Sequence, residues 1–89
     1  MRAIVTVIGQ DRVGIIADVT ALLAKNQINV LDISQTVLQD YFTMIMMVDT
    51  TESELPFAEL AQLLAKEGEE RALSIHIQRE DIFNAMHRI

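Results

Sequence analysis

Across residues 9–16, Gly-Gln-Asp-Arg-Val-Gly-Ile-Ile, the chain switches from strand to helix between two glycines, and this restricts it to folds that open with a strand followed by a helix. Arg2 to Ile8 is apolar and β-branched and is bounded by Gly9. After Gly14, the residues Ile15, Ile16, Val19, Leu22 and Leu23 recur at the i, i+3, i+4, i+7 spacing of one helical face. Gly9 is expected to take backbone angles closed to other residues as the strand ends. Gly14, in the first helical turn, is expected to let a ligand or another backbone come close. The first N–H groups of a helix have no partner within it, so a carboxylate or phosphate could satisfy them. Asp11 could cap them instead, leaving an ordinary turn with no ligand.

The remaining periodicity completes a fold. Asn29 to Leu38 returns to β-branched character, Gln39-Asp40 is a short polar turn, and Tyr41 to Val48 is apolar almost throughout, which predicts a hairpin. After the polar segment Thr50 to Glu54, Pro56 suits the first turn of a second helix. That helix carries Phe57, Leu60, Leu63 and Leu64 on one face and is expected to end near Gly68. Leu73, Ile75 and Ile77 alternate with Ser74, His76 and Gln78, the pattern of a strand buried on one side. The order β-α-β-β-α-β with right-handed crossovers predicts an α+β ferredoxin-like plait: a four-stranded antiparallel sheet with both helices on one face. This places one domain at residues 1–79. In residues 80–89, Ile82, Phe83, Met86 and Ile89 share a helical face, so a short docked C-terminal helix is expected there.

Composition narrows the possible functions. A chain of 89 residues buries only about 60–65% of its unfolded surface, yet 51% of this one is hydrophobic and only 4% aromatic. The core must be aliphatic, and the surplus of apolar residues predicts a homodimer. Without cysteine there are no disulfides, iron–sulfur clusters, zinc fingers or thiol catalysis. The first strand starts within two residues of Met1, with no leader-like apolar segment, and no apolar run reaches ~18 residues, so a cytoplasmic protein with no membrane contact is expected. The net charge is −6 and the seven basic residues are dispersed, which disfavours direct binding of nucleic acid.

The plait hosts many activities, so residues must decide function. No paired cysteines offer a metal site, and no set of exposed strand aromatics offers base stacking. No Ser-His-Asp set or carboxylate pair is identifiable, so no catalytic residue, metal or cofactor is expected. Hydrolysis of acyl phosphates is the enzymatic alternative, with Arg12 as its sole candidate in the first loop. His76 should face solvent on the polar side of its strand, His87 falls in the tail, and the methionines Met44, Met46 and Met47 should serve packing. Asp32, a polar residue within a strand, is expected to bond a neighbouring loop.

The run Val7 to Val19, with Gly9-Gln10-Asp11-Arg12-Val13-Gly14 at its centre, followed by Asn26 to Gln35, resembles the ACT domain, a ligand-sensing regulatory module. The resemblance spans residues 2 to about 79. It is narrowest to the stand-alone UPF0237-type proteins related to the glycine-cleavage-system repressor, which carry the segment that reads Asp32-Ile33-Ser34-Gln35-Thr36-Val37 here. It implies side-by-side pairing and an amino acid or related metabolite bound between the first loop of one copy and the second strand of its mate. Gly9, Asp11, Arg12, Gly14 and Ile15 would then form one wall of the site and Asn29 the other, with output through a separate partner protein or, alternatively, a purely structural dimerisation module. Two positions depart from the family pattern. Val13 stands where proline is frequent, and Gln27 where glycine is frequent, so Asn26 or Gln27 must close the first helix, in the left-handed region if need be.

Overall fold

The computed structural model describes residues 1–81, and its elements run β1 (Arg2–Gln10), α1 (Ile15–Lys25), β2 (Asn29–Leu38), β3 (Tyr41–Asp49), α2 (Phe57–Glu70) and β4 (Leu73–Arg79). The strands form one antiparallel sheet in the order β2-β3-β1-β4, the ferredoxin-like plait. Glu80 and Asp81 turn helical, and the rest of the expected tail helix, residues 82–89, lies outside the described residues.

One face of the sheet makes the core. Ala3, Val5 and Val7 of β1 lie in register with Val48, Met46 and Met44 of β3, while Val5 and Val7 also face Ile77 and Ile75 of β4. These side chains meet Ile15, Val19, Leu22 and Leu23 from α1 and Leu60 and Leu64 from α2 in one buried cluster. Among the described residues no polar or charged side chain is buried, so the interior gains its stability from apolar burial without buried ion pairs to desolvate. Met44 and Met46 sit in this core, as their packing role requires. Met47 points to the other face, where its sulfur accepts a hydrogen bond from Arg2.

Gly9 differs from expectation, and both it and Gly68 are points of close packing. β1 does not end at Gly9. It continues to Gln10, with Gly9 paired to Phe42 and Leu73 and without a positive φ. A Cβ at Gly9 would lie 2.5 Å from Leu73 Cδ2, so that methyl would have to shift. Gly68 likewise does not close α2 but lies inside it, against β4, where a Cβ would come within 2.9 Å of both Ile75 Cγ1 and the Leu73 carbonyl oxygen. The helix runs on to Glu70, and Glu67 and Arg71 pair one turn apart at 2.7 Å. Pro56 is its N-cap residue.

The first helix closes as the missing glycine requires. Gln27 takes the left-handed conformation with φ 60°, while Asn26 keeps an ordinary backbone and donates its side-chain amide to the Leu22 carbonyl at 2.9 Å. The hairpin turn also bends through a left-handed residue, Gln39 at φ 55°.

Candidate functional site

Gly14 begins the helix, and it is the one glycine with positive φ, at 92°. It is the N-cap residue, its carbonyl accepts from Asp18 N at 2.9 Å, and no side chain caps α1. The alternative in which Asp11 caps the helix is therefore overturned. Asp11 instead donates its backbone N–H to the Asp40 carbonyl at 2.7 Å, stitching the first loop to the β2–β3 turn. A side chain at Gly14 would meet nothing within 4 Å, so the space beside the helix start is open.

That space is a cleft of about 240 Å³. On one side stand Asp11, Arg12, Gly14, Ile15, Ile16 and Ala17, and on the other Gln35 and Val37 of β2 and Phe42 of β3. The cleft thus joins helix-start amides and a polar carboxamide to an apolar floor. Sequence reasoning misses Gln35, Val37 and Phe42, although the turn at Gln39-Asp40 fixes Val37 opposite Phe42 and Gln35 opposite Met44, all on the helix side of the sheet. Strand parity counted back from that turn is the signal that identifies them.

The predicted residues divide into two groups. Asp11, Arg12, Gly14 and Ile15 line the cleft; Gly9 sits within β1 just before it, half-buried under Leu73. Asn29 is elsewhere. It opens β2 opposite Asp49, which faces Arg2, whereas the loop follows Gln10, paired with Tyr41 and, through it, Leu38. Along β2, Asn29 lies roughly 20 Å from Gln35 at the near side of the cleft of its own chain, at ~3.3 Å per residue.

Charge is distributed accordingly. The Arg12 guanidinium lies 3.4 Å from the Asp18 carboxylate and donates to the Arg71 carbonyl at 3.3 Å, tying the first loop to the end of α2. Near Asn29, the Asp49 carboxyl is held down to about 2, chiefly by the hydroxyl and backbone N–H of Thr51 and further by the Met1 amine at 3.3 Å. Asp32 bonds no neighbouring loop: its carboxylate accepts from the adjacent Ile33 N–H at 2.9 Å, beside the irregularity in β2 between Val30 and Asp32. His76 is exposed on the outer face of the sheet, and among the described residues no cluster of His, Asp or Glu could hold a metal ion. No helix among them is long and apolar enough to cross a membrane.

Comparison with known proteins supplies the context. A family model described as the ACT domain matches residues 2–78. A UPF0237 protein of Listeria monocytogenes serotype 4b is 52% identical over 89 residues, all of both chains. An ACT domain protein from Streptococcus pneumoniae superposes with a TM-score of 0.83 at 40% identity, over 93% of each chain. A putative glycine cleavage system transcriptional repressor shares the fold at a TM-score of 0.71 and 23% identity, over 86% of this chain and 44% of that one.

Proposed function

Because this chain belongs to the ACT domain family, whose members are small-molecule-binding regulatory modules, we propose that it is a non-catalytic cytoplasmic sensor that binds an amino acid or a related metabolite between two copies of itself. The observation that carries this reading is the cleft beside Gly14. A ligand carboxylate directed at the uncapped start of α1 would gain hydrogen bonds and the positive end of the helix dipole, and Gln35 would supply a further polar contact. Ile16, Val37 and Phe42 would receive the apolar part of the ligand.

Asn29 would reach such a site only from a second copy. In its own chain it lies well over half of β2 away from the cleft, but two β2 edges running antiparallel would bring the start of one beside the end of the other, and with it Asn29 beside the first loop of the mate. A site shared in this way links occupancy to assembly, and a separate protein would read the result. Arg12 serves hydrolysis poorly, since its guanidinium is already engaged by Asp18 and the Arg71 carbonyl.

The test is isothermal calorimetry with the proteinogenic amino acids, followed by thermal shift of each binder. A ligand at 100 times its Kd raises stability by roughly 2.7 kcal/mol. Asn29→Ala is expected to weaken a binder about tenfold or more, the loss of one charge-assisted hydrogen bond of ~1.5–3 kcal/mol. Binding with unchanged affinity in that variant would remove Asn29 from the site, and the absence of any binder would leave the dimerisation module as the better reading.

A further inference from the structure

The charges left free around the cleft beside Gly14 decide what it can hold. Among the described residues on its walls, Arg12 is the only cation and Asp11 the only carboxylate. The Arg12 guanidinium is already shared between the Asp18 carboxylate and the Arg71 carbonyl. The Asp11 carboxylate has no ion-pair partner among the described residues. Opposite in sign, the uncapped amides at the start of α1 carry the positive end of the helix dipole. Apart from Gln35, the rest of the lining is apolar. Val37, opposite Phe42 across the hairpin, is 51% exposed and Ile16 is 38% exposed, so both offer apolar surface that is in contact with water.

We propose that the cleft selects, among amino acids, those whose side chain is uncharged, apolar and larger than a methyl group, an inference that rests on the sensor reading of this site. An α-carboxylate at the helix start and an α-ammonium at Asp11 use up the free charges of the wall. A charged side chain would then leave water with no counter-charge to meet. Glycine and alanine err the other way and leave Ile16 and Val37 wet. Each methylene that leaves water contributes roughly fourfold in affinity, so a leucine side chain only half covered by this floor exceeds alanine by about tenfold. Size agrees. At about 240 Å³ the cleft is smaller than the ~300–1,000 Å³ of sites for drug-sized ligands, which suits a single amino acid.

The test is calorimetric titration of the full chain with leucine, isoleucine and methionine and, in parallel, with glycine, alanine, serine, aspartate and lysine. Each of the first three is expected to bind at least about tenfold more tightly than any of the other five. Val37→Ala removes part of the floor at a half-exposed position, so circular dichroism should report an intact fold. In that variant leucine is expected to lose more affinity than alanine, narrowing the leucine-to-alanine ratio at least about threefold. Tighter binding of glycine, alanine, serine, aspartate or lysine overturns the side-chain class and leaves the amino-acid site standing. A ratio unchanged in Val37→Ala means that the leucine side chain does not lie on this floor, and it too overturns the proposal. Binding by none of the eight removes the sensor reading of the cleft, and the side-chain class falls with it.

Discussion

The two edges of the sheet are both strands with one side unpaired, and the molecule treats them in opposite ways. Along β4, Leu73, Ile75 and Ile77 are buried and Ser74 and His76 exposed, because α2 lies against that strand closely enough to need glycine at position 68. Along β2, every residue from Leu31 to Leu38 is exposed, including Leu31, Ile33, Val37 and Leu38, since α1 meets it only slightly. An exposed strand edge is ordinarily blunted with lysine or proline. β2 has neither, only Asp32 and one irregularity. The contrast teaches where the hydrophobic surplus of the sequence resides: the apolar residues of β4 are buried in the core, whereas those of β2 stay exposed.

Disturbing the finished edge should have the largest effect on folding. Gly68→Ala drives a methyl to within 2.9 Å of the Leu73 carbonyl and Ile75, and since a backbone oxygen cannot swing aside, the helix must move off β4. Overpacking of this kind costs about 1–3 kcal/mol, a fall in Tm of roughly 5–20 °C for a domain of this size. Thermal unfolding checks it, and the self-association of the folded fraction should not change.

The contrast also explains which parts of the structure are legible from the sequence. Turn chemistry and alternation are local, so Gln39-Asp40, Pro56 and the Leu73–Ile77 pattern locate the hairpin, the second helix and the last strand within a residue or two. The reasons for Gly9 and Gly68 are not local. Both are set by Leu73, which is distant from Gly9 in sequence, and in the case of Gly68 by Ile75, so each reads as a terminator although it is a point of close packing. The first loop is legible as a candidate site because its glycines and acidic residue are adjacent. The opposite wall, Gln35 and Val37, is hidden because their role depends on which face of β2 they occupy, and the register from the turn decides that.

At the unfinished edge the expectation is reversed. Ile33→Lys places a charge on an already exposed side chain, so the unfolding free energy should change by no more than about 0.5 kcal/mol. If β2 edges pair, the same lysine would lie in the contact and weaken association at least about tenfold, ~1.4 kcal/mol, as measured by sedimentation equilibrium. Unchanged association would show that the edge is not the dimer contact. A large loss of stability would show that the side chains of β2 support the monomer just as those of β4 do, and the distinction between the edges would disappear.

The smallest effect concerns how each half of the sheet responds to acid. Asp49 ends β3 between Arg2 of β1 and Asn29 of β2, and its carboxyl is held at about 2, against an ordinary value of 3.8, first by the Thr51 hydroxyl and then by the Thr51 N–H and the Met1 amine. On the other side of the molecule the Glu67 carboxyl is also lowered, chiefly by its hydrogen bond from Arg71. In both cases the folded chain binds the proton less readily than the unfolded one. Their stabilisation is therefore complete above the ordinary carboxylate range and lost as pH falls, for Asp49 from about 4 towards 2. Both groups are solvent-exposed, so the contribution is modest. In urea titrations at successive pH values below 5, the wild-type protein should lose stability steadily. Asp49→Asn should flatten part of that loss, and Glu67→Gln should flatten less of it, because the larger displacement belongs to Asp49. An acid limb unchanged in Asp49→Asn would mean that the Thr51 and Met1 contacts do not hold the end of β3 to the amino terminus in solution.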